Sequence, residues 1–243
     1  MKNAVYNDKF YSWQGIGSVN SAAIILPKVF EVLPKINSIV DFGCGTGTWL
    51  SIANNLGVSE VCGLDGSWVN KEMLKIPKEC FLETNLDKEV LLEKKYDLAI
   101  SLEVAEHISP ESAELFVESL VKASDIVLFS AAIPFQGGLK HINEQWPEYW
   151  INIFAKNGYV VMDFLRKQIW NDKNVEFWYK QNIILFVKKD ICNRITIPSD
   201  IHTPSPLSLV HPELYLLFVN RDVYRISWKD FFIAIIKRIL KRF

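Results

Sequence analysis

The chain has no excess of charge, no long apolar run and few cysteines. Its 243 residues carry 27 basic and 28 acidic side chains, a formal net charge of −1. That balance excludes the bulk attraction to a polyanion on which nucleic-acid-binding domains rely. Apolar runs such as residues 183–187 and 231–236 fall far short of the roughly 20 residues a helix needs to cross a bilayer. The opening Met1-Lys-Asn-Ala-Val-Tyr-Asn-Asp8 lacks the apolar stretch of a secretion signal. The cysteines, at positions 44, 62, 80 and 192, make no Cys-x-x-Cys pair and no metal-ligand spacing. Three of them lie in or beside strand-like apolar segments, where a free thiol packs as a small hydrophobe. These absences lead us to expect a cytoplasmic, reduced chain with no membrane span and no nucleic-acid partner. With 49% hydrophobic residues, the sequence has enough apolar material for the core of one large domain, with or without an appendage.

Short apolar segments alternate with longer amphipathic ones. Strands are predicted at 38–42, 60–64, 80–84, 96–100, 125–131, 159–165 and 182–188. Helices are predicted at 18–33, 46–56, 68–74, 110–123 and 145–157. This alternation implies a mostly parallel sheet with helices on both faces. Between the last two strands lies only the aromatic stretch 170–179, so that pair is free to run antiparallel. Three prolines between 197 and 206 loosen the texture, and we place a boundary nearby: a domain over 1–190 and an extension over 191–243.

Ser38-Ile-Val-Asp-Phe-Gly-Cys-Gly-Thr-Gly-Thr-Trp-Leu50 is the most informative stretch. A buried strand runs into Gly43-x-Gly45-x-Gly47 and then into a helix, a turn that lets backbone and helix N–H groups approach a ligand closely. The third glycine comes one place too early for the dinucleotide fingerprint, and Thr48 stands where that motif takes Gly or Ala. Asp41 is awkward beside a pyrophosphate but well placed for an ammonium. Asp65, ending the next strand, occupies the position that bonds ribose hydroxyls. An adenosine that carries an amine and no diphosphate fits both carboxylates, and S-adenosylmethionine is such a ligand.

These segments resemble the class I S-adenosylmethionine-dependent methyltransferases. Val40–Leu50 is similar to their first motif, and Gly63-Leu-Asp65-Gly-Ser-Trp68 to the acidic motif of the second strand. Thr84-Asn85-Leu86-Asp87 stands in place of the adenine-contacting loop, and Asp97–Ile108 is similar to the fourth-strand motif. The stretch from Phe129 through His141-Ile-Asn-Glu-Gln-Trp-Pro-Glu-Tyr-Trp150 is similar to a bacterial group associated with cell-surface polysaccharide biosynthesis. The resemblance covers roughly residues 10–190. It implies a Rossmann-like, doubly wound, seven-stranded sheet and an S-adenosylmethionine site. Its expected contacts are Asp41, Gly43, Gly45, Gly47, Asp65, Gly66, Trp68, Asn85, Leu86, Leu102 and Glu103. Asp65 has a second reading, as N-cap of the helix expected from Trp68.

Ligands of such sheets bind beyond the C-terminal strand ends, so a base for a hydroxyl acceptor must follow strands four and five. His107 and His141 do, and they are the expected catalytic residues. Glu103, Glu106 and His107 at i, i+3, i+4 share one face if the turn is helical. With His141 they offer a divalent-metal ligand set, as the resemblance allows; our preferred reading is no metal, with the carboxylates shaping the cofactor pocket. Asn143, Glu144, Gln145 and Trp146 combine polar groups with a flat aromatic, which suits a sugar. The alternative is a capped helix start, with Asn143 as N-cap and Trp146 in the core. Gln136-Gly-Gly138 reads as a lid, and Phe10-Tyr-Ser-Trp-Gln14 as another.

The even net charge hides a split. Residues 227–243 hold five basic side chains against Asp230, about +4, and leave about −5 to the rest. Apolar residues at 228, 231, 232, 235, 236, 239, 240 and 243 face away from Lys237, Arg238, Lys241 and Arg242 on a predicted amphipathic helix. It suits an anionic membrane surface, or a docking site on the domain or on a partner subunit. The expected activity is O-methylation of a sugar or surface-glycan precursor. Alternatives are a quinone-like metabolite, a phosphoryl-type glycan substituent, or a non-catalytic cofactor-binding subunit.

Overall fold

A computed structural model describes residues 8–197 and 208–223. They divide into two units, residues 1–209 and 210–243. In the first, helix α1 (Asp8–Val32) precedes strand β1 (Ser38–Phe42), followed by α2 (Thr48–Asn55), β2 (Glu60–Asp65), β3 (Phe81–Glu83), β4 (Leu98–Leu102), α3 (Ala113–Ala123) and β5 (Ile126–Ser130). Then come α4 (Pro147–Lys156), β6 (Tyr159–Met162), α5 (Leu165–Ile169), α6 (Phe177–Asn182) and β7 (Ile184–Lys188). The second unit contributes α7 (Pro212–Val223). No helix among the described residues is long and apolar enough to cross a membrane. The basic stretch 227–243, and most of the proline-rich segment before α7, lie outside the described residues.

The strands form one seven-stranded sheet in the order β3-β2-β1-β4-β5-β7-β6. The first five are parallel; β7 runs antiparallel to both β5 and β6. The expected Rossmann-like architecture is therefore present, with an antiparallel edge. Alternate side chains of each strand enter different cores. Ile39, Leu98, Ile100, Leu128 and Leu185 pack with α1 and α2, whereas Val40, Ala99, Val127, Phe129 and Phe186 pack with α3 and α4. This double burial is why the strands read as unbroken apolar runs.

Several boundaries differ from expectation. The predicted helix at 68–74 is a single 3-10 turn, Lys71–Met73, capped by Asn70, whose side chain accepts the Glu72 N–H at 3.1 Å. Val69 and Ile76 are buried on either side of it, so packing is met without a helix. With no helix there, Asp65 is not a helix N-cap. Helix α1 starts ten residues earlier than predicted, so the backbone of Phe10–Gln14, read as a lid, is part of this helix. Helix α4 starts at Pro147 with Trp146 as its N-cap, so Asn143 does not cap it, and Trp146 is 40% exposed rather than in the core.

Candidate active site

The cofactor side is built where β1 and β2 end. Gly43 has φ +91°, and a Cβ there would stand 2.3 Å from Val104, so only glycine fits this turn. The N–H groups of Gly43 and Cys44 donate to the Leu64 carbonyl at 2.7 and 3.1 Å, which ties the loop to β2. The buried Asp65 carboxylate then braces the loop, accepting Gly45 N–H and Gly66 N–H at 2.7 Å each. Burial raises its pKa, and those two N–H groups and Trp68 offset part of the rise. Gly47, with φ +78°, closes the loop as N-cap of α2. A small open cleft lies here, lined by Asp41, Gly43, Gly45 and Leu102 among the expected residues. Trp68 lies flat against Gly66 and is 48% exposed.

Two expected contacts are engaged elsewhere. The Asn85 side chain accepts the Asp87 N–H at 3.1 Å inside its own turn, and Leu86 is packed into the core beside α3. Sequence reading missed Ser18 from α1, and Thr46, Thr48, Trp49 and Tyr179, which complete the cleft wall. Tyr179 stacks edge-on against Trp49 at 5.2 Å. Ser18 and Tyr179 arrive from elements about 160 residues apart in the chain, so no local spacing announces them.

Asp41 is 4% exposed, and its pKa is raised well above the ordinary carboxylate range, by burial first and then by Asp65. A carboxylate held this way gains most from a cationic ligand, and the cleft therefore fits a group carrying an ammonium. Asp41→Asn is expected to weaken binding of S-adenosylmethionine by about 10- to 100-fold, the loss of one charge-assisted hydrogen bond. The ligand-free protein is expected to melt higher, because the raised pKa makes ionisation of Asp41 costly at neutral pH. For the wild type, affinity should fall as pH drops through that raised pKa, since only the ionised form attracts the ammonium. Calorimetric titration across pH checks all three points, and an affinity independent of both pH and Asp41 would refute them.

The other half of the site is stitched from the loops after β4 and β5. The Glu106 carbonyl accepts the N–H groups of Ile142 and Asn143 at 2.9 and 3.0 Å. That pairing brings the His107 and His141 rings edge-to-face, 4.9 Å apart. The His141 Nδ1 lies 2.8 Å from Glu144 Oε1, and the same carboxylate accepts the N–H groups of Phe135 at 2.7 Å and Gly137 at 2.9 Å. Glu144 thus fixes the tautomer that leaves His141 Nε2 bare. The His107 Nδ1 lies 3.3 Å from the Lys140 carbonyl, and burial, with His141 next, pushes its pKa down to about 4. His107 is neutral at pH 7 and a weak base.

Glu103, expected on one face with Glu106 and His107, does not share their cluster. Its φ of +57° breaks the helical spacing, and only Ala105–His107 forms a turn. Its carboxylate accepts Gln136 Nε2 at 2.8 Å and Asn182 Nδ2 at 3.0 Å. Asn182 also donates to Gln136 at 2.8 Å, so a residue of α6 clamps the loop after β5 to the end of β4. Asn182 was not foreseen as part of the site, and Gln136 only as part of a lid. Asn143 is buried and accepts Gln145 Nε2 at 3.0 Å.

Comparisons with known proteins agree with this architecture. Residues 20–124 match the sequence model of a family described as "Methyltransferase domain". The chain is similar to the ribosomal protein L11 methyltransferase of Dictyoglomus thermophilum, 23% identical over 160 residues, covering 59% of this chain. It spans about half, 52%, of that protein. Among solved structures it resembles Streptomyces venezuelae DesVI, with TM-score 0.55 and 15% identity over 76% of this chain and 97% of that one. It also resembles the magnesium protoporphyrin IX methyltransferase of Synechocystis with bound SAH, with TM-score 0.51 and 18% identity over 74% and 88%. Residues 20–124 thus carry the match to a methyltransferase domain, and the chain shares its fold with these solved methyltransferases.

Proposed function

We propose that the chain moves a methyl group from S-adenosylmethionine to a hydroxyl oxygen of a sugar or surface-glycan precursor. The observation that carries this reading is the His141–Glu144 pair, set in a loop of polar groups and clamped through Glu103 to the strand end beside the cofactor cleft. S-adenosylmethionine supplies an electrophilic methyl on a sulfonium. The chain's task is to hold the acceptor oxygen in line with it, worth up to about 7–11 kcal/mol of pre-arranged entropy, and to remove the hydroxyl proton. Asp41 takes the ammonium and Asp65 the ribose. Unaided, the cluster has one competent base, His141 through Nε2, because His107 is held neutral and weakly basic. Asn143, Gln145 and Trp146 follow His141 in the same loop, and we assign to them the polar contacts and the stacking face for the acceptor.

A second reading, a quinone-like acceptor, is favoured by the exposed Phe135 (78%) and Ile142 (59%) of the same loop. Incubation with radiolabelled cofactor and a panel of nucleotide sugars, glycan fragments and quinols separates the two. Label transferred as a base-stable ether to a sugar supports the proposal. Transfer only to quinols replaces it, and cofactor binding without transfer to any acceptor identifies a non-catalytic subunit. Residues 227–243 are assigned to contact with an anionic membrane or a partner subunit, and deleting them should abolish any liposome binding.

A further inference from the structure

Among the described residues, the non-glycine residues with a left-handed backbone are Glu103, Phe135 and Lys140, and all three belong to one region. Glu103 directly follows β4, while Phe135 (φ +69°) and Lys140 (φ +61°) lie in the loop after β5 that carries His141. An L side chain is strained there, and such strain persists only where the surroundings over-determine the backbone. The loop therefore has a relaxed arrangement open to it, and its bonds decide between the two.

Those bonds converge on one side chain. Gln136 donates through Nε2 to Glu103, and its Oε1 accepts Gln181 Nε2 at 3.0 Å and Asn182 Nδ2 at 2.8 Å. Both α6 donors are buried. Behind them the buried Arg166 donates Nη1 to the Gln181 carbonyl at 3.0 Å and Nε to Asp163 at 2.9 Å. A buried network with donors facing acceptors fixes its geometry more firmly than separate bonds would.

The other side of α6 belongs to the cofactor cleft. Tyr179 lines that cleft and precedes Asn182 by three residues, so the two are neighbours on one short helix. The start of α6 is tied to α1, because Ser21 Oγ accepts the Glu176 N–H at 3.1 Å, and Ser18 of α1 lines the same cleft. A ligand that fills the cleft therefore buttresses α6 through Tyr179, and six residues of helix leave no hinge between Tyr179 and Asn182.

From this arrangement we infer that Asn182 is a positioning residue for the acceptor loop, and that α6 couples the loop to the cofactor. A cofactor seated against Tyr179 steadies α6, Asn182 and Gln181 keep Gln136 on Glu103, and the strained loop keeps His141 in place. The service of that loop to methyl transfer rests on the reading above; the coupling itself does not.

The test needs no acceptor. Hydrogen–deuterium exchange of the full-length protein is followed by mass spectrometry, free and saturated with S-adenosylhomocysteine. In the wild type this ligand should slow exchange of the amides at 135–143 by about 10-fold, within the usual span of coupling between two sites. Asn182→Leu, and Gln136→Leu, which cuts the clamp from the loop side, should each abolish that slowing. By linkage, each should weaken S-adenosylhomocysteine binding by no more than the same factor. The exchanged pair Glu103→Gln with Gln136→Glu keeps donors facing acceptors and should restore the slowing, a rescue that a merely structural role would not give. Melting temperatures report folding, and the half-buried Gln136 keeps the test available if Asn182→Leu does not fold. Wild-type loop exchange indifferent to S-adenosylhomocysteine, or folded single variants that still show the slowing, overturns the inference. Failure of the acceptor panel leaves these measurements unaffected.

Discussion

Asp65→Ala is expected to lower cofactor affinity at least about 100-fold and to destabilise the domain by about 2–4 kcal/mol. The carboxylate is nearly excluded from water and is the acceptor for two backbone N–H groups at once, Gly45 and Gly66, both at 2.7 Å. Charge-assisted bonds of this length are worth about 1.5–3 kcal/mol apiece, and alanine leaves both donors unpaired. The glycine loop loses its brace from β2, and with it goes the carboxylate that we assign to the cofactor's ribose. Asp65→Asn, which keeps one acceptor but turns an NH₂ toward the other N–H, should fall between. Calorimetric titration with S-adenosylhomocysteine and thermal melting give the two readouts. An alanine variant that binds within a few-fold of wild type would show that the loop holds itself.

The second large effect falls on turnover rather than on cofactor binding. His141→Ala should reduce kcat by about 10²–10⁴-fold, the range for losing a positioned proton acceptor, while S-adenosylhomocysteine affinity stays unchanged. Cofactor affinity is spared because Asp41, Asp65 and the glycine loop lie on β1 and β2, whereas His141 is held by the loop after β5. His107→Ala should cost less, because His107 is held neutral and weakly basic while His141 acts as base. With its pKa at about 4, His107 contributes no inflection to the rate profile above about pH 5. An inflection that disappears only in His107→Ala at neutral pH would contradict the assignment, as would a His141→Ala enzyme of near-normal kcat.

How much of this was legible depended on whether a position is set locally. The glycine turn, Asp41 and Asp65 announce themselves because one strand, one loop and one helix start create their chemistry. The sheet was legible for the same reason: strands buried on both faces leave short apolar runs. Glu103 shows the limit. Its spacing from Glu106 and His107 looks helical, but a left-handed φ at Glu103 turns its carboxylate into the Gln136–Asn182 clamp. Nothing within four residues signals that turn. Tyr179, Ser18 and Asn182 were invisible because what places them in the site is the packing of α1 and α6 against the sheet. Leu86, in the expected adenine loop, also packs into the core under α3, a placement that its local spacing does not signal.

The antiparallel edge has a consequence for how the chain is born. Strand β6 hydrogen-bonds to β7 alone, and β7 is made after it, about 55 residues beyond the β5 strand it must join. During synthesis β6 therefore has no place in the sheet until residue 188 has emerged. The glycine loop and both cofactor carboxylates can assemble from the first hundred or so residues, while Asn182, at the threshold of β7, closes the clamp on Glu103 only at the end. Loop-closure entropy favours that same sequence, local parallel pairs first and the distant strand last. A nascent chain arrested before β7 would present the cofactor half of the site with its acceptor half still unmade.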